Sequence, residues 1–388
     1  MQLARQLSIP LIAITLSIAG CVSAPQQNTN ENAPRSNTGA GGKVRIGFSM
    51  DTLKEERWQR DKQLVEARAR ELGADLDVQV ANGDDARQIS QCDSMLTRGV
   101  DVLIVAPHNG EIARSIVEKA HQQRVPVISY DRLIKNADVD LYVSHQVEKI
   151  GEMQARYALE HAPRGNYVLI GGSQTDNNAI LLRKGQMNVL QPAIDRGDIK
   201  VISNQFAKEW RADEALRITE DAVTKTGGDI QAVVASNDGT AGGAVQALGD
   251  RAKNVIVTGQ DAQLDAMQRI VEGRQSMTIY KPITPLAYSA VESAIKLARG
   301  EKLEAPDRIN NGKIDVPSIL QEPITVDKNN VAQTVIKDGY HKMEDVYKNV
   351  PREQWPQATA QVRTPEAGNN FMLALLFSLR QHDLLLAF

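Results

Sequence analysis

Asp131 and Asp261 each close a short apolar run, VPVISY and NVIVTGQ, at the position where a parallel sheet exposes its carboxyl edge to a ligand. Other strand-end positions are polar as well: Asp51 follows VRIGFSM, His108 and Asn109 follow VDVLIVAP, Arg132 follows Asp131, and Asn237 and Asp238 follow IQAVVAS. The two carboxylates accept hydrogen bonds, Arg57, Arg132 and Lys281 donate them, Asn178 and Asn237 do both, and Trp58 and Trp210 offer flat apolar rings. Such an assortment suits a neutral ligand with many hydroxyls on a carbon frame, which is the surface of a sugar. Charge-assisted hydrogen bonds are about twice as strong as neutral ones, and mixed Asp and Arg groups offset each other's burial cost.

Each residue has a plainer reading. Asp131 beside Arg132 could be a surface ion pair of little worth. Asn237 and Asp238 could cap the helix that begins at Gly239; Asp238 is assigned the cap and Asn237 the ligand contact. An isolated tryptophan is by default a core residue. Here Arg57 and Gln59 flank Trp58, and Glu209 and Arg211 flank Trp210, which favours partly exposed stacking faces.

As a glycosidase pair, Asp131 and Asp261 would need one acid that keeps its proton. Arg132 and Lys281 nearby lower both acids' affinity for a proton, so neither makes a general acid. The chain lacks a phosphate-binding loop, an HExxH pair and a nucleophile elbow, and its 6 histidines are scattered. The glycines of SNDGTAGG do not match the dinucleotide spacing. No enzyme activity, cofactor or metal is therefore expected. A net charge of -3 gives no electrostatic reason to expect a nucleic-acid partner.

The elements that must position these groups alternate. VRIGFSM, LDVQVAN, VDVLIVAP and VPVISYD read as strands separated by amphipathic helical stretches, and VDVLIVAP is apolar on both faces, as a central strand covered by helices must be. NYVLIGGS, IKVISNQFA, IQAVVASND and NVIVTGQD form a second such set, and QSMTIYKP with ITPLAYSAVESAIKLARG adds another strand and helix. The expected fold is α/β: two similar Rossmann-like lobes, hinged, each a parallel sheet flanked by helices. A chain of 388 residues with 42% hydrophobic content can fill both cores.

The ends read differently. Residues 1–20 form a secretory signal with Arg5 before the apolar stretch Ile9 to Ile18, too short to span a membrane. LSIAGC resembles the bacterial lipobox, which implies that Cys21 carries a lipid. Residues 21–42, rich in Asn, Gln, Ser, Pro and Gly, form a flexible tether. Cys92, the second cysteine, is read as a half-buried helix residue, and no disulfide framework follows. Residues 343–388 are an unexplained tail whose apolar run FMLALLFSLRQHDLLLAF is broken by Arg380, His382 and Asp383. Those charges speak against a transmembrane helix, and the part beyond Val350, Pro351 to Phe388, is expected to add nothing to ligand binding.

From Val44 to His341 the chain resembles the D-xylose-binding proteins of bacterial ABC transporters, within the type I periplasmic-binding-protein family. The resemblance rests on ERWQRD, RGVDVLIVAPHNG, YDRLI, GNYVLIGGS, DNNA, VVASNDGTAGGAVQAL, GQDA, YKPIT and VIKDGYHK. It implies a monosaccharide ligand, D-xylose by the family's habit, held by Arg57, Trp58, Asp131, Arg132, Asn178, Trp210, Asn237, Asp261 and Lys281. Taken with the signal and the lipobox, it implies an exported, lipid-anchored protein that serves an ABC permease and its ATPase subunit; a receptor feeding a chemoreceptor or sensor kinase is the alternative. An N-terminal lobe of residues 43–144 plus about 279–306 and a C-terminal lobe of 145–278 plus about 307–342 follow from the same likeness. Ser144, His145 and Gln146 depart from the family's usual residues at the crossing between lobes, which bears on the hinge more than on the sugar.

The anchor is testable. Replacing Cys21 with Ala should move the protein from the membrane fraction to the soluble fraction, and unchanged membrane association counts against the lipid.

Overall fold

The computed structural model describes residues 42–356. The signal, Cys21, nearly all of the tether and the tail beyond 356 lie outside the described residues. In chain order, the elements of the first half are β1 (Arg45–Met50), α1 (Glu56–Glu71), β2 (Asp75–Val80), α2 (Asp85–Thr97), β3 (Val102–Ala106), α3 (Arg114–Gln122), β4 (Val127–Tyr130) and β5 (Leu141–His145). Then come α4 (Val147–His161), β6 (Gly165–Gly171), α5 (Asn177–Asp195), β7 (Ile199–Phe206), α6 (Ala212–Thr226), β8 (Ala232–Ala235), α7 (Asp238–Leu248), β9 (Ile256–Val257) and α8 (Leu264–Val271). The chain finishes with β10 (Met277–Tyr280), α9 (Ile283–Ala298), β11 (Asp307–Asn310), β12 (Asp315–Gln321), β13 (Ile324–Asp327) and α10 (Met343–Val346).

The first sheet runs β11-β12-β5-β4-β3-β1-β2, parallel except for the β11–β12 hairpin. Its central strands β3 and β4 are buried on both faces because helices cover both. Val102, Ile104 and Ala106 of β3 pack with Val65 of α1 and Leu286 of α9, whereas Leu103 and Val105 pack with Met95 of α2 and Ile116 of α3. The second sheet, β7-β6-β8-β9, repeats the plan in parallel. Val168 and Ile170 face Ile218 and Ala244, and Tyr167 and Leu169 face Ala155 and Leu190. Backbone bonds from Ser276 to Val257 (2.9 Å) and from Ile279 to Gly259 (3.1 Å) continue this sheet into β10, which pairs with β13.

Two boundaries differ from the sequence expectation. Residues after 307 do not return to the C-terminal lobe at once, since β12 pairs in parallel with β5 and β11 closes the edge of the first sheet. The return comes after Gln321. Residues 343–356 are not a detached tail: Val346, Tyr347, Val350 and Trp355 pack with Ile270, Val326 and Val335, and the Trp355 indole donates to the Val350 carbonyl at 2.9 Å. β5 and β11 to β13 were not distinct in the sequence, being short and mixed in polarity.

The chain thus passes between the lobes at His145–Gln146, at Lys281–Pro282 and at Gln321–Glu322. The three passages are tied together. His145 Nε2 donates to the Pro282 carbonyl (3.3 Å), the Gln146 amide to the Gln321 carbonyl (3.2 Å), and Gln146 Nε2 to Glu322 Oε1 (2.7 Å).

In the second lobe, α4 and α5 approach so closely that a Cβ on Gly185 would lie 1.9 Å from the Glu148 carbonyl oxygen. Gly185→Ala should therefore destabilise by about 1–3 kcal/mol through overpacking, read as a lower urea midpoint at unchanged slope.

Candidate functional site

The cleft between the lobes holds a small cavity of about 30 Å³. Its lining includes all of the expected contacts, Arg57, Trp58, Asp131, Arg132, Asn178, Trp210, Asn237, Asp261 and Lys281, together with Glu55, Asp176 and Gln260. Arg57 and Trp58 stand in the first turn of α1, directly after the loop that leaves β1; Asp131 and Arg132 follow β4, Asn178 lies in the first turn of α5, and Asn237 caps α7. Asp131 (φ 58°), Trp210 (φ 57°) and Asp261 (φ 96°) all have left-handed backbones, which residues with a Cβ rarely adopt and which surrounding contacts must hold in place. Around Asp131, its amide donates to the Val143 carbonyl (2.8 Å), and its carbonyl accepts from Tyr142 Oη (2.9 Å) and Ser144 Oγ (2.7 Å). Ser144 therefore supports a site residue directly, which corrects the expectation that its departure concerned the hinge.

Arg57 Nη1 donates to Asp131 Oδ1 at 2.7 Å and lies 3.8 Å from Asp261 Oδ1. Lys281 Nζ stands 3.0 Å from Asp261 Oδ1 and 3.5 Å from Asp131 Oδ1. The cations thus sit between the acids of opposite lobes. Asp61, four residues after Arg57 on α1, accepts from its Nε at 3.1 Å and from the Tyr130 hydroxyl. Burial would raise the proton affinity of Asp131, yet Arg57 and then Lys281 outweigh it and hold the carboxyl well below the usual carboxylate range.

Arg132 does not serve these two acids. It bonds Asp51 Oδ2 through Nη1 (2.6 Å) and faces Asp176 Oδ2 through Nε (2.9 Å), so it spans the cleft by itself. Asp176 also accepts from the indole of Trp210 at 3.2 Å. That ring lies flat against Gly172, where a Cβ would come 2.2 Å from it. Trp58 and Trp210 are both buried rather than partly exposed, and the guanidinium carbons of Arg57 and Arg132 lie 4.3 and 5.2 Å from the Trp58 ring centre.

Asn237, expected to contact ligand while Asp238 capped α7, is itself the cap: its Oδ1 accepts from the Thr240 amide at 2.9 Å in a capping box. It still lines the cavity. Asp238 turns away to accept from Gln275 Nε2 (2.8 Å) and the Thr278 hydroxyl (2.9 Å). His145 is buried beside the cluster, and burial, then Lys281, pushes its pKa down to about 3. Cys92 is fully buried, which pushes its thiol up to about 12. Asp61 and Asp176 escaped sequence reasoning, although the i, i+4 spacing from Arg57 and the cap position before NNA were visible signals.

Residues 46–302 match the family model described as a periplasmic binding protein domain. The chain belongs to the periplasmic binding protein family. Its fold is that of the type I members. Relatives of this binding protein include the D-xylose-binding periplasmic protein of Haemophilus influenzae, 50% identical over 306 residues, with 78% of this chain and 92% of that protein covered. The protein of that name in Escherichia coli is 48% identical over 305 residues, with 78% and 92% covered. A carbohydrate transporter solute binding protein of Chloroflexus aurantiacus, solved in complex with D-glucose, superposes with a TM-score of 0.74 at 31% identity and covers 78% of this chain and 98% of its own.

Like these relatives, this periplasmic binding protein is a solute binder and not an enzyme. Held ionised by Arg57 and Lys281, Asp131 cannot serve as the general acid that glycoside cleavage requires.

Asp131→Asn leaves Arg57 and Lys281 short of a buried partner and should cost about 3–5 kcal/mol of stability at neutral pH. Because the folded-state proton affinity of Asp131 is lowered, its contribution is complete above the ordinary aspartate value of about 3.9 and is lost as the pH falls through the lower folded value. The difference in Tm between parent and variant should thus be large at pH 7 and shrink below about pH 4. A pH-independent difference contradicts this account.

Proposed function

We propose that this periplasmic binding protein is exported, captures a monosaccharide, D-xylose, between its lobes, and delivers it to an ABC permease and its ATPase subunit, anchored meanwhile by a lipid on Cys21. The observation that carries the sugar reading is the state of the buried polar groups. Among the described residues, Asp261 Oδ1 and Asn178 Oδ1 have no hydrogen-bond donor; Lys281 is near Asp261 Oδ1 but not aligned with it. Buried acceptors of this kind call for hydroxyl donors from a ligand. The lining also carries Glu55, Asp131, Asp176 and Asp261 against Arg57, Arg132 and Lys281, so no positive excess favours a phosphate or carboxylate.

Xylose as the particular sugar rests on the names of the two relatives near half identity. A ligand that touches Asp131 of one lobe and Asp261 and Asn178 of the other favours the closed arrangement by its differential affinity for it, and the permease would read that arrangement.

A calorimetric panel of pentoses and hexoses tests the reading. Asp261→Ala removes one or more charge-assisted hydrogen bonds worth about 1.5–3 kcal/mol each, so xylose affinity should fall by roughly one to two orders of magnitude while the fold survives. A folded variant that binds as tightly as the parent removes Asp261 from the site, and a parent that ignores every sugar in the panel defeats the function.

A further inference from the structure

Outside the cavity, a second set of contacts joins the lobes and ends on the loop that presents Asp261. Glu56 and Arg60 lie one turn apart on the first lobe's α1, and neither lines the cavity. Glu56 Oε1 accepts from Arg60 Nη2 at 2.9 Å and Nε at 3.2 Å, while its Oε2 accepts from the amide of Leu264, at the start of α8 in the second lobe, at 2.9 Å. The Arg60 guanidinium lies 4.3 Å from the ring centre of Tyr340, and its Nη2 is 3.4 Å from His341 Nδ1. Tyr340 and His341 are both buried. On their far side, the Tyr340 hydroxyl donates to the Asp261 carbonyl (3.3 Å), and His341 Nε2 donates to the Ala262 carbonyl (2.7 Å).

Asp261 and Ala262 both have positive φ, at 96° and 48°, so this loop keeps its shape only because its neighbours hold it. The aromatic pair supplies that hold from behind, and the first lobe reaches the pair through Arg60. One turn of α1 thereby faces two ways: Arg57 reaches the Asp131 and Asp261 carboxylates inside, and Arg60 clasps the support of Asp261 outside.

We propose that Glu56 and Arg60 form a ligand-independent latch, with Tyr340, His341 and the Leu264 amide as its keeper. They are positioning residues: closing the latch stabilises the closed lobes and fixes the Asp261 loop, so it sets affinity without touching the sugar. The contacts to Leu264, Tyr340 and His341 exist only when α1 meets the second lobe, so removing them lowers the closed population and raises the apparent Kd by the same factor. The effect on affinity rests on the sugar-binding reading above, while the latch itself does not.

Two measurements on the purified full chain separate these. In the ligand-free protein, Arg60→Ala should speed hydrogen exchange of the Leu264 amide, whose acceptor Glu56 loses its clamp. With D-xylose, the same variant should raise Kd about tenfold, mainly through faster dissociation, with the unfolding temperature of the ligand-free protein little changed. Arg60→Lys should recover part of the affinity by keeping a cation over the Tyr340 ring. If Arg60→Ala folds poorly, Glu56→Gln is read in the same way. Unchanged exchange at Leu264 overturns the latch whatever the ligand proves to be, and so does an unchanged Kd in a parent that binds xylose. A parent that binds no sugar sinks the functional reading alone and leaves the exchange result to decide the latch.

Discussion

Arg57 is 3% exposed, and its guanidinium is divided among Asp61 of its own helix, Asp131 at the end of β4 and, more distantly, Asp261 of the other lobe. A buried cation carries a penalty of several kcal/mol that only well-placed acids and hydrogen bonds can offset. Asp61 and Asp131 provide that offset within the first lobe, so the lobe can fold with the charge in place. Asp261 adds its share only when the lobes meet. Lys281, at a passage between lobes, stands between the same two acids, and Arg132 repeats the arrangement with Asp51 on one side and Asp176 on the other.

The cleft is consequently an ionic lattice with a few acceptors left over, not an apolar pocket with a few polar groups. A neutral polyol fits such a lattice because each hydroxyl can donate to an open carboxylate or amide oxygen without changing the charge balance. Water could do the same singly. A ring bearing several hydroxyls does so at several points with one loss of translational freedom, which is the advantage of preorganised acceptors. The same lattice keeps Asp131 from acting as an acid, since its carboxyl beside Arg57 and Lys281 does not keep a proton.

Strained backbones and small residues maintain the lattice. The left-handed Asp131 is tied by Tyr142 and Ser144, the left-handed Trp210 rests on Gly172, and the left-handed Asp261 leans on Tyr340. Contacts that bypass the cavity add to closure: Lys54 Nζ donates to the Glu209 carbonyl at 3.0 Å, and the Gly110 amide to the Thr175 carbonyl at 3.1 Å. Closure in this protein is thus distributed along the rim as well as at the ligand.

The alternating apolar strands and amphipathic helices made the two parallel sheets legible, because strands covered on both faces must be apolar throughout. The strand-end rule together with family resemblance was enough to name nine of the twelve residues that line the cavity, and missed Glu55, Asp176 and Gln260. Local sequence could not say who pairs with whom. Arg132 adjoins Asp131 in the chain yet bonds Asp51 and Asp176, and Asn237 rather than Asp238 caps α7, since those choices depend on side-chain directions set by strands distant in sequence. The placement of β11 and β12 in the first sheet was likewise hidden, because a short edge strand of mixed polarity acquires its identity only from the partner it finds, here β5. So did the role of residues 340–355: an apolar Tyr or Trp announces burial, but only the packed second lobe decides what it is buried against.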